Sequence, residues 1–293
     1  MTDISAADAP LTGGRQYHIA LKRGELAEYV LLVGDPGRVA KVAERFDAIE
    51  LERTNREFPS ATGTFRGMRV SVISTGIGTD NVEIVLAEVM EITDQPTLIR
   101  IGSSGALLPE IEMGDLVVSI GAVRLENTSD FYAHPGYPAI AHRDVVWALE
   151  AACRKLGVRH HVGMTATASG FYAPQGRAMR TLPVRYPDLA EELRRQRVAN
   201  LEMESSVLFV LAGLAGLRAG TVCATYAQRV DGTFLEGAAK EAAEARCIDV
   251  GLAGIHLLWE IEHAEGGDPH AYWSSLIGEP VSSANQTGPA PDR

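Results

Sequence analysis

The sequence predicts an α/β fold arranged as a single-domain, three-layer α/β/α sandwich, and three features carry that expectation. Short apolar runs recur along the chain: YVLLVG (29–34), RVSVIST (69–75), TLIRIGSSG (97–105), DLVVSIGAVRL (115–125), HHVGMTATAS (160–169) and AGTVCATYA (219–227). Helical patterns stand between or after them, in VAKVAERF, in VEIVLAEVMEI and near 142–156, 203–216 and 236–262. Such alternation is what strand–helix units around a parallel or mixed sheet produce. Several of the strands also end in small residues, and α/β folds gather their ligands at the carboxyl ends of strands.

At 293 residues the chain is long enough to bury a full core. No internal repeat and no Gly- or Ser-rich linker divides it, so it reads as an N-terminal segment (1–16), one domain (17–263) and a C-terminal tail (264–293). The tail is rich in Gly, Pro, Ser and Asn, with Tyr272 and Trp273 as its candidate anchors and partial disorder expected beyond them. The 38 acidic side chains outnumber 27 Lys and Arg, giving a formal charge of −11. That balance argues against nucleic acid or an anionic membrane as the main partner. The longest apolar run, VLFVLAGLAGL (207–217), is too short to span a bilayer, and the first residues lack the pattern of a secretory signal. Cys153, Cys223 and Cys247 form no CxxC and are odd in number, which points to a reducing cytoplasm.

Three strand ends combine glycine or serine with arginine nearby: Gly34-Asp35-Pro36-Gly37-Arg38, STGIGT (74–79), and Arg100-Ile101-Gly102-Ser103-Ser104-Gly105. Glycine lets backbone N–H groups approach an oxyanion, arginine adds a two-pronged charge, and Ser103 offers a hydroxyl. Neither GxxxxGK[ST] nor a complete GxGxxG is present, so the anion expected is a small free one such as orthophosphate. A different chemistry is written in ATASGFYAPQGR (166–177). Phe171 can wall a flat ring while Gln175 and Arg177 read its polar edge. The histidines at 134, 142, 160 and 161 have no metal-ligand spacing, so no metal is expected.

VGDPGR, STGIGT, RIGSSGAL, GFYAPQGR and NLEMES resemble, in order and approximate spacing, the nucleoside phosphorylase family of the uridine phosphorylase type, over roughly residues 17–262. The resemblance implies a mixed, barrel-like central sheet flanked by helices, and a dimer-based hexamer. It implies a phosphate site at Gly34, Arg38, Arg100 and Ser103, completed by Arg56 of a neighbouring subunit. It implies ribose contacts from Glu202, Met203, Glu204 and a neighbour's His18, with Tyr17 beside it. The two carboxylates flank Met203 and need not share a face, and Glu204 is the favoured sugar ligand. Base contacts fall to Phe171, Gln175 and Arg177, with Arg229 as a second arginine there. Arg100, Gln175, Arg177 and Arg229 become the catalytic candidates.

The activity implied is reversible phosphorolysis of a pyrimidine nucleoside, uridine and phosphate giving uracil and α-D-ribose-1-phosphate, in nucleoside salvage. Phosphate is then a co-substrate and no cofactor is required. Glu57 stands where some relatives hold a monovalent cation between subunits, although an interface salt bridge is the plainer role. Rival readings are a purine nucleoside phosphorylase of the same fold, a nucleosidase that uses water, and a noncatalytic nucleoside-binding protein. The purine enzymes place an acid after the late strand, where this chain has Gln228 and, three residues on, Asp231. Tyr226 is bulkier than the small aliphatic residues often found there, which leaves thymidine, deoxyuridine or a modified base open.

Overall fold

The sheet is mixed because its strands are joined in two ways, by helical crossovers and by hairpins. The computed structural model of the chain describes residues 9–264. A small hairpin comes first, β1 (Leu11–Thr12) and β2 (Arg15–Gln16), within the segment that the sequence set apart as 1–16. Then follow β3 (Tyr29–Val33), α1 (Gly37–Ala43), β4 (Ala48–Arg53), β5 (Ser60–Phe65), β6 (Met68–Ser74), α2 (Thr79–Ile92), β7 (Thr97–Ala106), β8 (Leu116–Leu125) and β9 (Ala139–Ile140). The second half holds α3 (Arg143–Lys155), β10 (His160–Ala168), α4 (Leu189–Arg195), β11 (Asn200–Glu202), α5 (Ser205–Leu214), β12 (Arg218–Gln228), β13 (Thr233–Phe234) and α6 (Gly237–Ala264). The proposed anchors Tyr272 and Trp273, with the rest of the tail, lie outside the described residues.

Five strands close on themselves. β7 pairs with β12 in parallel from Thr97↔Arg218 onward, β12 with β8 antiparallel, β8 with β10 in parallel, β10 with β11 in parallel, and β11 returns antiparallel to β7. From β7 the sheet runs outward through β3 and β6, both parallel, and then through β5 and β4, both antiparallel. This is the barrel-like mixed sheet that the resemblance implied.

Alternation along β3 shows how the layers are filled. Leu31 and Val33 point into a core shared with α1, α3 and α6, whereas Val30 and Leu32 point into one shared with α2 and α5. Side chains on a strand alternate between faces, so a strand buried on both sides must be apolar throughout. YVLLV satisfies that requirement. The strands absent from the sequence reading lack this signal. β4 is mostly exposed and β5 is built from Ser, Ala, Thr and Gly, whose backbones pair although their side chains are small. The three-residue β11 is shorter than any periodicity can reveal.

Close helix–sheet packing sets the place of β12. A Cβ on Gly220 would overlap the Val145 side chain of α3 and stand 3.7 Å from Leu149 Cδ1. Gly220→Val should therefore cost about 1–3 kcal/mol through overpacking, read as a lower urea midpoint with an unchanged slope.

Candidate active site

A cavity of about 380 Å³ opens where the ends of several strands meet. The loop Gly34–Arg38 follows β3, Arg100–Gly105 belongs to β7, Leu201–Glu204 joins β11 to α5, and Tyr226–Ala227 lies near the end of β12. Phe171, Gln175 and Arg177 come from the loop after β10 and complete the wall with Phe234. Segments separated by up to two hundred residues thus line one cavity.

Its deepest charge is Arg100, 4% exposed. Nε donates to Glu202 Oε2 at 3.1 Å, Nη2 donates to Glu204 Oε2, and Nη1 has no partner. Burial works against this cation, but the pull of Glu204 and then Glu202 raises its pKa, so it stays charged. A Cβ on Gly102 would stand 2.8 Å from Arg100 Nη2, so glycine at 102 leaves room for that side chain. Glu202 is saturated: besides Arg100 it accepts from Thr167 Oγ1 at 2.5 Å and from the N–H groups of Glu204 and Ser205, both at 3.0 Å. The last of these bonds satisfies the first turn of α5. Glu204 accepts from Gly78 N at 2.8 Å and Met203 N at 3.2 Å, and burial pushes its carboxyl upward against the attraction of Arg100. The sequence left open whether the two glutamates share a face. In the fold both turn onto Arg100, with Glu202 holding the scaffold together and Met203 also lining the cavity.

Arg38 flanks the same end, 5% exposed. Its Nε donates to Glu244 Oε1 at 2.7 Å and its Nη1 to the Ile101 carbonyl at 2.9 Å. Gly34 borders that corner, where a Cβ would stand 3.5 Å from Arg100 Nη1, in ordinary contact. Ser103 lines the cavity as expected, and so does Ser104, whose Oγ is buried without a partner. Glu244 and Ser104 were not singled out from the sequence. Glu244 lies 206 residues from the arginine it anchors, and no local pattern links them. Ser104 carried a signal, as the second serine of RIGSSG.

The other end is made by residues 171–177 and β12. Gly176 adopts φ 66°, and the turn it closes leaves Gln175 3% exposed. The Arg177 guanidinium lies 4.1 Å from the Phe171 ring centroid, a cation–π contact. Arg229 Nη2 donates to the Gln175 carbonyl at 3.0 Å. Arg177 Nε and Arg229 Nη1 are buried without partners. Burial lowers the pKa of both arginines, and the neighbouring Arg177 charge helps bring Arg229 down to about 10. Two cations with no carboxylate between them leave this end able to meet electron-rich acceptors.

Gln228 and Asp231, the positions that bear on a purine-type acid, face elsewhere. Gln228 Nε2 donates to the Leu108 and Ile111 carbonyls at 3.0 and 2.7 Å, and its Oε1 accepts from Val230 N at 3.0 Å. Asp231 is exposed and accepts from Thr233 N and Oγ1 within its own turn.

His18, Arg56 and Glu57 do not line the cavity. They gather at a separate edge, where His18 Nδ1 lies 2.7 Å from Glu88 Oε1 and Arg56 stacks 4.9 Å from the Tyr17 ring centroid. Asn55 Nδ2 binds the His18 carbonyl at 2.6 Å, and Arg56 holds the left-handed φ of 50°. Glu57 is exposed, with its Cγ beside Gly76. Among the described residues no cluster of three His, Cys, Asp or Glu could hold a metal ion.

Eight buried side-chain polar atoms among the described residues lack a hydrogen-bond partner; four belong to residues that line this cavity, Arg100 Nη1, Ser104 Oγ, Arg177 Nε and Tyr226 Oη, and a fifth, Arg229 Nη1, to the arginine bonded to the Gln175 carbonyl. Buried donors are normally satisfied, so their concentration here marks a site built to receive acceptors.

Comparison with known proteins agrees with this geometry. The Phosphorylase superfamily model matches residues 28–250. The chain is 45% identical over 242 residues to the uridine phosphorylase of Thermococcus kodakarensis, covering 82% of this chain and 87% of that one. It is 31% identical to the guanosine phosphorylase of Halorubrum lacusprofundi, covering 78% and 88%. A Trypanosoma brucei nucleoside phosphorylase that shows uridine phosphorylase activity superposes with a TM-score of 0.80 at 29% identity, over 85% of this chain and all of that one. With the family's motifs placed around one cavity and its model spanning most of the chain, the protein belongs to the phosphorylase superfamily.

Proposed function

We propose that the protein is a uridine phosphorylase-like pentosyltransferase, converting uridine and phosphate reversibly to uracil and α-D-ribose-1-phosphate. The observation that carries this reading is the Gln175–Arg177 end of the cavity, with Arg177 stacked on Phe171 and Arg229 bonded to the Gln175 carbonyl beside it, facing the same space as Arg38 and Arg100. Uracil presents two carbonyl acceptors and one N–H. A Gln amide donates to one carbonyl and accepts the N–H, while arginine donates to the other.

In this reading phosphate, held by Gly34, Arg38, Arg100 and Ser103, attacks C1′ from the side opposite the base. The C1′–N1 bond breaks as the C1′–O bond forms, and its electron pair leaves with uracil. Arg177, Gln175 and Arg229 stabilise that growing negative charge; fixed donors of this kind contribute about 3–4 kcal/mol each in comparable oxyanion sites. Glu204 accepts hydrogen bonds from sugar hydroxyls, and Met203 packs on the sugar. A purine needs a proton donor at the base instead, and Asp231 is committed to its own turn.

Phosphate is a co-substrate here, and a monovalent cation would belong beside Glu57. His18 and Arg56 lie off the cavity of their own chain, which supports their service to a neighbour's site in a dimer-based hexamer. Cytoplasmic salvage fits three free, buried cysteines and the absence, among the described residues, of a helix long and apolar enough to cross a membrane.

Incubated with uridine, the protein should release uracil and ribose-1-phosphate only when phosphate is present; release without phosphate would instead indicate a nucleosidase, and cleavage of inosine or guanosine with uridine inert a purine enzyme. Arg177→Ala and Gln175→Ala should each lower kcat/KM for uridine about 100-fold, with Asp231→Asn near wild type; a collapse on Asp231→Asn would remove the pyrimidine assignment. Light scattering should give the mass of six chains, and a monomeric active species would rule out a shared site.

A further inference from the structure

Tyr226 lines the cavity, yet the proposed reaction gives it no task. It stands at the irregularity in β12, where the pairing with β7 shifts register between Thr225 and Ala227. A bulge re-aims the side chain it carries, and here the ring forms part of the cavity wall while only 7% exposed. The backbone carbonyl of Tyr226 accepts from Leu235 N at 2.7 Å, which pins the loop carrying Phe234 against it. Its hydroxyl is buried and meets no hydrogen-bond acceptor; Arg38, the cation beside it, can only donate to its oxygen.

The surroundings of that hydroxyl show what it can bind. Burial pushes the phenol up to about 12 against the pull of Arg38, so at neutral pH it is a donor. Its charged neighbours are mostly cations, which have no lone pair to accept its proton. Arg38 acts on it directly, and Lys240 Nζ lies 5.4 Å from the ring centroid. The nearby carboxylate, Glu244, already accepts from Arg38 Nε on one oxygen and from Lys41 Nζ on the other. Arg38 and Lys41 thus share one carboxylate while Lys240 lies over the ring, and the ligand that matches such a surplus of cations is an oxyanion. Arg38 spends Nε on Glu244 and Nη1 on the Ile101 carbonyl and also sits against the Tyr226 hydroxyl, so the cation and the phenol O–H occupy the same corner.

Resting on the reading of this cavity as a phosphorolytic site, we propose that Tyr226 is a further phosphate-binding residue, its hydroxyl donating to an oxygen of the phosphate that Arg38 neutralises. The tyrosine then serves the anion, and its bulk is not a device for choosing the base.

Tyr226→Phe removes one oxygen and keeps the ring. An unpartnered buried hydroxyl adds nothing to folding, so without phosphate the variant's Tm should equal or exceed that of wild type. Inorganic phosphate should raise the wild-type Tm, and the variant should need about tenfold more phosphate for the same rise, the size of one hydrogen bond to a charged acceptor. In turnover, KM for phosphate should rise about tenfold while KM for uridine holds. An unchanged phosphate dependence, a loss confined to KM for uridine, or a wild-type Tm indifferent to phosphate would each overturn the proposal. If phosphate stabilises wild type and the variant's response is weakened while neither cleaves any nucleoside, the phosphate site stands and the phosphorolysis reading falls.

Discussion

The architecture of the site depends on one buried cation. Arg100 leaves the middle of β7 and is held by Glu202 and Glu204, which bracket the start of α5. Glu202 is also tied to Thr167 on β10, and Glu204 to the Gly78 N–H at the start of α2. One guanidinium therefore ties three strands, β7, β11 and β10, and two helix starts around the cavity floor. A buried charge without partners is expensive, and breaking such a pair typically costs about 3–5 kcal/mol. The arrangement is tolerable because both carboxylates and two of the three guanidinium nitrogens are hydrogen-bonded, while the third, Arg100 Nη1, has no partner and lies beside Gly34 at the cavity.

From that floor the cavity divides into two electropositive ends that differ in kind. At one end Arg38 is partly neutralised by Glu244, which holds it in position against the Ile101 carbonyl and the Tyr226 hydroxyl. At the other, Arg177 and Arg229 have no carboxylate partner and are half-buried, with burial lowering their pKa values. An end that is partly neutralised suits an anion already formed, whereas the unneutralised pair suits charge that appears only as a bond breaks. Preorganised donors in a site of low polarity stabilise such developing charge without reorganisation.

Close approach is what permits these charges to converge. Glycine at 102 leaves room for the Arg100 guanidinium, and glycine at 220 and 251 lets α3 and α6 lie directly on the sheet, where Cβ atoms would meet Val145 and Ile101. The chain uses absence of side chain both to pack its layers and to shape its cavity.

Residues whose environment follows from short-range pattern were legible in the sequence. Strands buried on both faces read as unbroken apolar runs, YVLLV being the clearest, and the helices read from their period. The Gly-Arg-Ser strand ends and the Phe-Gln-Arg turn disclosed their chemistry, because each packs several like-minded groups into a few positions. Strands without a continuous apolar run, such as the mostly exposed β4 and β5 with its run of Ser, Ala, Thr and Gly, did not, since their place is set by backbone pairing with a neighbour. Nor could spacing show that Glu202 and Glu204 turn onto the same arginine, or that Glu244 anchors Arg38, or that Tyr226 ends beside that arginine at a bulge. Those outcomes are decided by which strands meet when the five-stranded ring closes. A local sequence dictates which groups are available and how its own backbone repeats; only the closed tertiary structure dictates which distant charge each one must answer.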